Sequence, residues 1–177
     1  MISTVVDPTL TFTVAGRNSA CNGVNKSAGA TSTGTAVSLG RVNATAPVSA
    51  AQDLTITTNS AGGFIVYISS VGEMTSGINN IAKVGGSNSG PLSLPGLGTP
   101  AFGYTTDDAT LDGTVDRFTS GGTKWAPLAA TNFPVSYKAI SSAGPESACV
   151  GFILQVANAT PAGSYSATVV YTAVPLF

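Results

Sequence analysis

The sequence predicts an all-β chain folded as a β-sandwich, and three observations predict it. Short runs alternate apolar and polar residues with a period of two, as in residues 9–14 and 52–58. Clusters of Gly, Pro, Asn and Ser interrupt those runs at short, regular spacing, and no stretch shows a persuasive 3.6-residue repeat. Composition agrees, because only 8% of residues are charged, against about 25% in an ordinary soluble protein, so the helix-favouring Lys and Glu are scarce. At 177 residues and 43% apolar, the chain is long enough for one domain with a substantial core.

The first element is a ribbon. Ile2, Val6, Pro8, Leu10, Phe12 and Val14 share one parity, while Ser3, Asp7, Thr9, Thr11 and Thr13 occupy most of the other. A strand sends alternate residues to opposite faces, so this ribbon has one apolar face to bury. Residues 1–16 therefore read as an N-terminal extension and candidate donor strand, and residues 17–177 as a single sandwich domain.

The polar run at 19–37 reads as a loop entering a strand near 35–42. Residues 52–58 and 64–69 flank the turn signal NSAGG and read as a hairpin whose second strand, apolar on both faces, is central. Residues 78–84 read as a strand or a short helical turn. The segment 85–103 carries too much Gly and Pro for regular structure and reads as a long surface excursion. Further strands are expected at 114–120, 123–128, 134–140, 148–156 and 164–174. Leu54, Ile56, Phe64, Val66, Phe152, Leu154, Val169 and Tyr171 are the expected core.

The residue inventory argues against catalysis and against a cofactor. The chain contains no histidine, which removes Ser-His-Asp and Cys-His chemistry and imidazole-ligated metals. It has neither a G-x-S-x-G elbow nor a phosphate-cradling G-x-x-x-x-G-K-[ST] loop. Asp107, Asp108, Asp112 and Asp116 form the one acidic cluster and a weak calcium candidate, although their spacing is not that of an EF-hand and Asp beside Gly commonly closes turns. Trp125 reads as a core anchor rather than a sugar platform. Sequons stand at Asn25, Asn43 and Asn158, a number that chance alone supplies in a chain so rich in Ser and Thr.

Seven Lys and Arg, scattered singly, build no basic stripe, so nucleic acid is not an expected partner. No run approaches the roughly 18 apolar residues of a membrane span. The opening has neither a charged n-region nor an apolar h-region, so the expectation is a chain numbered from its mature start or one whose leader has been removed. A surface hydrated by hydroxyls and amides points to an extracellular, cell-surface location. There, Cys21 and Cys149 have only each other to pair with, and closing so long a loop stabilises a fold by about 4 to 5 kcal/mol on the chain-entropy model. Two buried free thiols are the alternative.

The opening TLTFTVAG, the stretch VSLGRVNATAPVSAAQDLTITTNSAGGFIVYI and the ending PAGSYSATVVYTAV resemble the secreted domain of the spore coat protein U and archaic chaperone-usher pilin family. The resemblance implies an incomplete immunoglobulin-like sandwich, completed by the N-terminal strand of a neighbouring subunit. It implies a structural, non-enzymatic subunit that polymerises head-to-tail, with identical subunits as partners and host or environmental surfaces as further ones. Ile2, Val6, Leu10, Phe12 and Val14 are then the interface residues of the donor strand. The alternative is a monomeric or tandem surface adhesion module whose sandwich is complete in itself, with residues 9–15 as its own first strand.

Overall fold

The computed structural model describes residues 2–4, 6–111 and 116–177. It is an all-β fold of several antiparallel sheets, without α-helix among the described residues. In chain order the strands are β1 (Leu10–Arg17), β2 (Thr31–Ser32), β3 (Val37–Ser38), β4 (Val48–Thr58), β5 (Phe64–Ser70), β6 (Met74–Ser76), β7 (Asn79–Ile81), β8 (Ala101–Thr106), β9 (Phe133–Lys138), β10 (Ser142–Gln155) and β11 (Val169–Pro175). A four-stranded sheet has the order β1-β4-β10-β8 and a three-stranded sheet the order β11-β5-β9. β2 with β3, and β6 with β7, form two small hairpins.

Alternation decides which face each strand buries. Leu54 and Ile56 on β4, Phe64, Val66 and Ile68 on β5, and Val150, Phe152 and Leu154 on β10 all enter one cluster. Val169 and Tyr171 on β11 pack against the same cluster from its half-buried margin, so all eight expected core residues belong to it. Full burial of each such aliphatic or aromatic side chain contributes about 1.5–3 kcal/mol. Residues 148–154 of β10 are apolar on both faces because they are covered on both. The other face carries Ile153 into a second cluster with Val84, Ala101 and Trp125, and Cys149 into a third with Cys21 and Ala51.

Several expectations need correction. Residues 52–69 are not a hairpin: β4 pairs with β1 and β10, β5 pairs with β11 and β9, and the turn between them carries the chain from one sheet to the other. Both arrangements bury the same parity, so the alternation was equally consistent with either. The surface excursion ends sooner than expected, since residues 101–103 already belong to β8, every residue of which is buried. The described part of residues 114–120 is bend and turn rather than strand, because the Asp116 carboxylate accepts the backbone N–H groups of Phe118 and Thr119 at 3.1 and 2.9 Å. Residues 35–42 supply only the two-residue β3, residues 123–128 only isolated bridges at Trp125 and Ala126, and the expected strand at 164–174 begins at Val169. The undecided segment 78–84 contains a strand, β7.

The irregular excursion is tied down by a polar side chain from β10. Gln155 Nε2 donates to the carbonyls of Gly96 and Thr99 at 2.9 and 2.8 Å, satisfying backbone acceptors that no ladder serves. Trp125 is buried and exchanges two backbone hydrogen bonds with Leu92, which anchors the excursion at its middle.

Candidate functional site

β1 and β11 are edge strands of the two larger sheets, and they lie on the same side of the core. The ring of Phe12 meets that of Tyr171 edge-on, with centroids 6.5 Å apart at 69°. Beside the β11 edge runs an open groove in two chambers. The inner one, about 500 Å³, is lined by Gln52, Phe102, Phe152, Val169 and Tyr171. The outer one, about 950 Å³, is lined by Ile81, Leu154, Val156 and Tyr165. Val37, Leu39, Met74 and Ala167 line both.

The β2–β3 hairpin stands over the inner chamber and is fixed by hydrogen bonds and by close approach. Gln52, buried on β4, donates from Nε2 to Thr33 O at 2.7 Å and accepts the Tyr171 hydroxyl on Oε1 at 3.2 Å. Desolvation holds the Tyr171 hydroxyl well above the ordinary tyrosine range, so it serves as a donor. At the hairpin turn, a Cβ added to Gly34 would fall 2.4 Å from Val14 O, so only glycine lets the hairpin lie this close to β1.

The two ends of the molecule differ. β1 begins with Leu10 opposite Thr58, and β11 ends with Pro175 opposite Phe64, so both chain ends leave at the pole where β4 turns into β5. There, Asn59 Oδ1 accepts the Thr9 N–H at 2.6 Å, and Asn59 Nδ2 donates to Asp7 O at 3.1 Å. The outer chamber is at the opposite pole, beside Leu154, whose register partner is Val48 at the start of β4.

Among the residues singled out from the sequence, Ile2 and Val6 are exposed, at 102% and 78% of full accessibility, and lie in no strand. Leu10, Phe12 and Val14 are half-buried in β1, which pairs with β4 of the same chain over eight residues, Leu10↔Thr58 through Arg17↔Ala51. Cys21 and Cys149 are bonded, with their Cα atoms 5.8 Å apart and both residues buried.

The acidic residues are occupied by backbone donors. Asp107 Oδ1 accepts the Cys149 N–H at 2.6 Å, and Asp108 accepts the N–H groups of Thr110 and Tyr137 at 2.9 and 2.7 Å. Asp116 closes the turn described above, and Asp112 lies outside the described residues. Among the described residues, no three of His, Cys, Asp and Glu are grouped as a metal site requires. Burial raises the Asp107 carboxyl above its usual value, against the opposing effects of the Cys149 N–H and the Arg17 charge. Asn25, Asn43 and Asn158 are exposed, and the last two stand on the rim of the outer chamber.

Searches for a matching family model, a similar curated protein and a similar solved structure found none. Among the described residues, no helix is long and apolar enough to cross a membrane. Sequence reasoning missed the groove as such. Its walls come from residues 34–44, Met74 and Ile81, and 152–171, with Gln52 and Phe102 between them, segments far apart in the chain, and only the alternation of Val37 and Leu39 hinted at a segment facing the core.

Proposed function

We propose that this chain is a structural subunit of an extracellular filament that polymerises head-to-tail by β-strand addition. In this reading the two larger sheets make an immunoglobulin-like sandwich, and the N-terminal segment of one copy enters the groove of the next. The observation that carries it is placement at the two poles: a terminal segment with exposed Ile2 and Val6 leaves one pole, and an open groove onto the core lies at the other. Residues 2–9, fully extended, span about 26 Å at 3.3 Å per residue. The eleven-residue β4 is itself roughly 36 Å long, so the segment cannot return along its own body to the outer chamber. A second copy can receive it, and a contact between unlike poles propagates instead of closing. Leu10, Phe12 and Val14 then remain in their own sheet, and Ile2 and Val6 are the residues delivered to the neighbour.

The test compares the full chain with a chain lacking residues 1–8, by sedimentation and negative-stain microscopy. Concentration-dependent association of the full chain, lost on truncation with circular dichroism unchanged, is the expected result. A full chain that stays monomeric at every concentration overturns the proposal. It would favour the second reading, a surface adhesion module complete in itself, for which the eight-residue pairing of β1 with its own β4 is the supporting observation.

A further inference from the structure

The groove that would receive a neighbour's strand is already partly filled by its own chain. Val37 is half-buried and Leu39 buried, and both pack into the main core, while Val42 packs against its margin. These side chains separate the inner chamber from the outer one, since both chambers are lined by Val37 and Leu39. The backbone that carries them is weakly held. Only Val37 and Ser38 have ladder partners, Ser32 and Thr31, and residues 39–42 belong to no strand. Among the described residues, no backbone hydrogen bond of residues 39–42 to another part of the chain is found. A segment whose side chains are in the core but whose N–H and C=O groups lack a ladder is one that an incoming strand can outcompete.

The ends of this segment are held by hydrogen bonds, whereas its middle is held by packing, with Gly40 lying close against the backbone of Gly29. On one side Thr33 O accepts from Gln52 and the Thr33 N–H donates to Ala36 O at 2.8 Å. On the other, Asn43 closes a tight turn, its Oδ1 accepting from the Thr45 N–H at 3.0 Å. Between them Gly40 adopts a φ of +72°, a left-handed conformation that glycine enters and leaves without steric cost.

We propose that residues 37–42 are a displaceable plug of the groove, ejected when the N-terminal segment of a second copy enters. The exchange is apolar for apolar at the side chains: Ile2 and Val6 of the incoming segment, four residues apart, cover the core that Val37, Leu39 and Val42 leave. The incoming strand adds main-chain hydrogen bonds that the plug does not make, which gives the exchange its direction. A free subunit thereby keeps its core covered until a partner arrives. This rests on the strand-addition reading and adds a regulatory step to it.

The experiment titrates a fluorescein-labelled synthetic peptide of residues 2–9 with the full-length chain, and follows amide exchange of residues 37–42 by mass spectrometry with and without excess peptide. Peptide binding should make residues 37–42 exchange faster. Leu39→Ala, which weakens the plug, should bind the peptide about five-fold or more tightly than wild type, because a larger fraction of molecules has an open groove. Val37→Ala, a smaller truncation, should shift affinity in the same direction and covers the case in which Leu39→Ala does not fold. If the peptide binds but residues 37–42 exchange more slowly or unchanged, or if both variants bind more weakly, the segment is a groove wall and the plug is wrong while strand addition stands. If the peptide binds neither wild type nor variants and the full chain stays monomeric, strand addition and plug fall together.

Discussion

The Tyr171 hydroxyl donates to Gln52 Oε1 at 3.2 Å, joining the edge strand of the three-stranded sheet to the second strand of the four-stranded one. Gln52 spends its amide nitrogen on Thr33 O, so a single buried side chain holds three parts of the molecule together. Tyr171→Phe should cost about 0.5–1.5 kcal/mol, one hydrogen bond. Gln52→Ala should cost more, about 2–3 kcal/mol, because it orphans both Thr33 O and the tyrosine hydroxyl. Urea denaturation of the two variants checks the order, and equal losses would mean that Gln52 is not the hub.

Reduction of Cys21–Cys149 removes a cross-link between residues 128 apart in sequence. The chain-entropy model assigns such a loop about 4 to 5 kcal/mol. The double variant Cys21→Ser, Cys149→Ser should therefore show a strongly lowered denaturation midpoint. In the wild type, reductant should act slowly, because both sulfurs are buried and must await local opening. A wild-type midpoint insensitive to reductant under denaturing conditions would contradict the bond.

Gly34→Ala should destabilise by more than about 1 kcal/mol, since its Cβ cannot coexist with Val14 O without moving the β2–β3 hairpin. Gly96→Ala is the control: nothing lies within 4 Å of its added Cβ and its φ is not positive. Thermal melts of the two variants side by side separate a close approach from a general intolerance of alanine in loops.

Asp107 gives a pH signature with a definite sign. Burial raises its carboxyl in the folded state, so between the unfolded value and that raised value the folded chain binds more protons than the unfolded one. Its contribution to stability therefore falls as pH rises through that window and is flat on either side. Asp107→Asn, which keeps an oxygen for the Cys149 N–H at 2.6 Å, should remove this component from the pH dependence of denaturation. A steeper fall in the variant would reverse the assignment.

Much of the core was legible because strand alternation reports the inward face directly. Leu54 and Ile56 could be chosen from parity alone, and both are buried, while Phe64 and Val66 followed from a run apolar on both faces, in which Ile65 is buried as well. Sheet membership was not legible, since Ile56 and Phe64 face a shared interior whether their strands pair or cross. Phe118 looked like a strand residue until the short-range hydrogen bonds of Asp116 made it a buried turn. Phe102 was hidden by the Gly and Pro that precede it, although its own strand is regular. The groove escaped altogether, because its walls come from segments far apart in the chain that no local pattern brings together.

The position of Cys21, four residues past the end of β1, also sets how the molecule meets mechanical load. A tension applied to the N-terminus pulls β1 along its own axis, so the hydrogen bonds from Leu10↔Thr58 to Arg17↔Ala51 are sheared together rather than unzipped one at a time. Should that ladder slip, slack is released only as far as Cys21, where the covalent tether to Cys149 in the central strand β10 takes up the force. Because β1 is already extended along the pull, the extension available from that end is only a fraction of the roughly 40 Å contour of residues 10–21 before the core is loaded through a covalent bond.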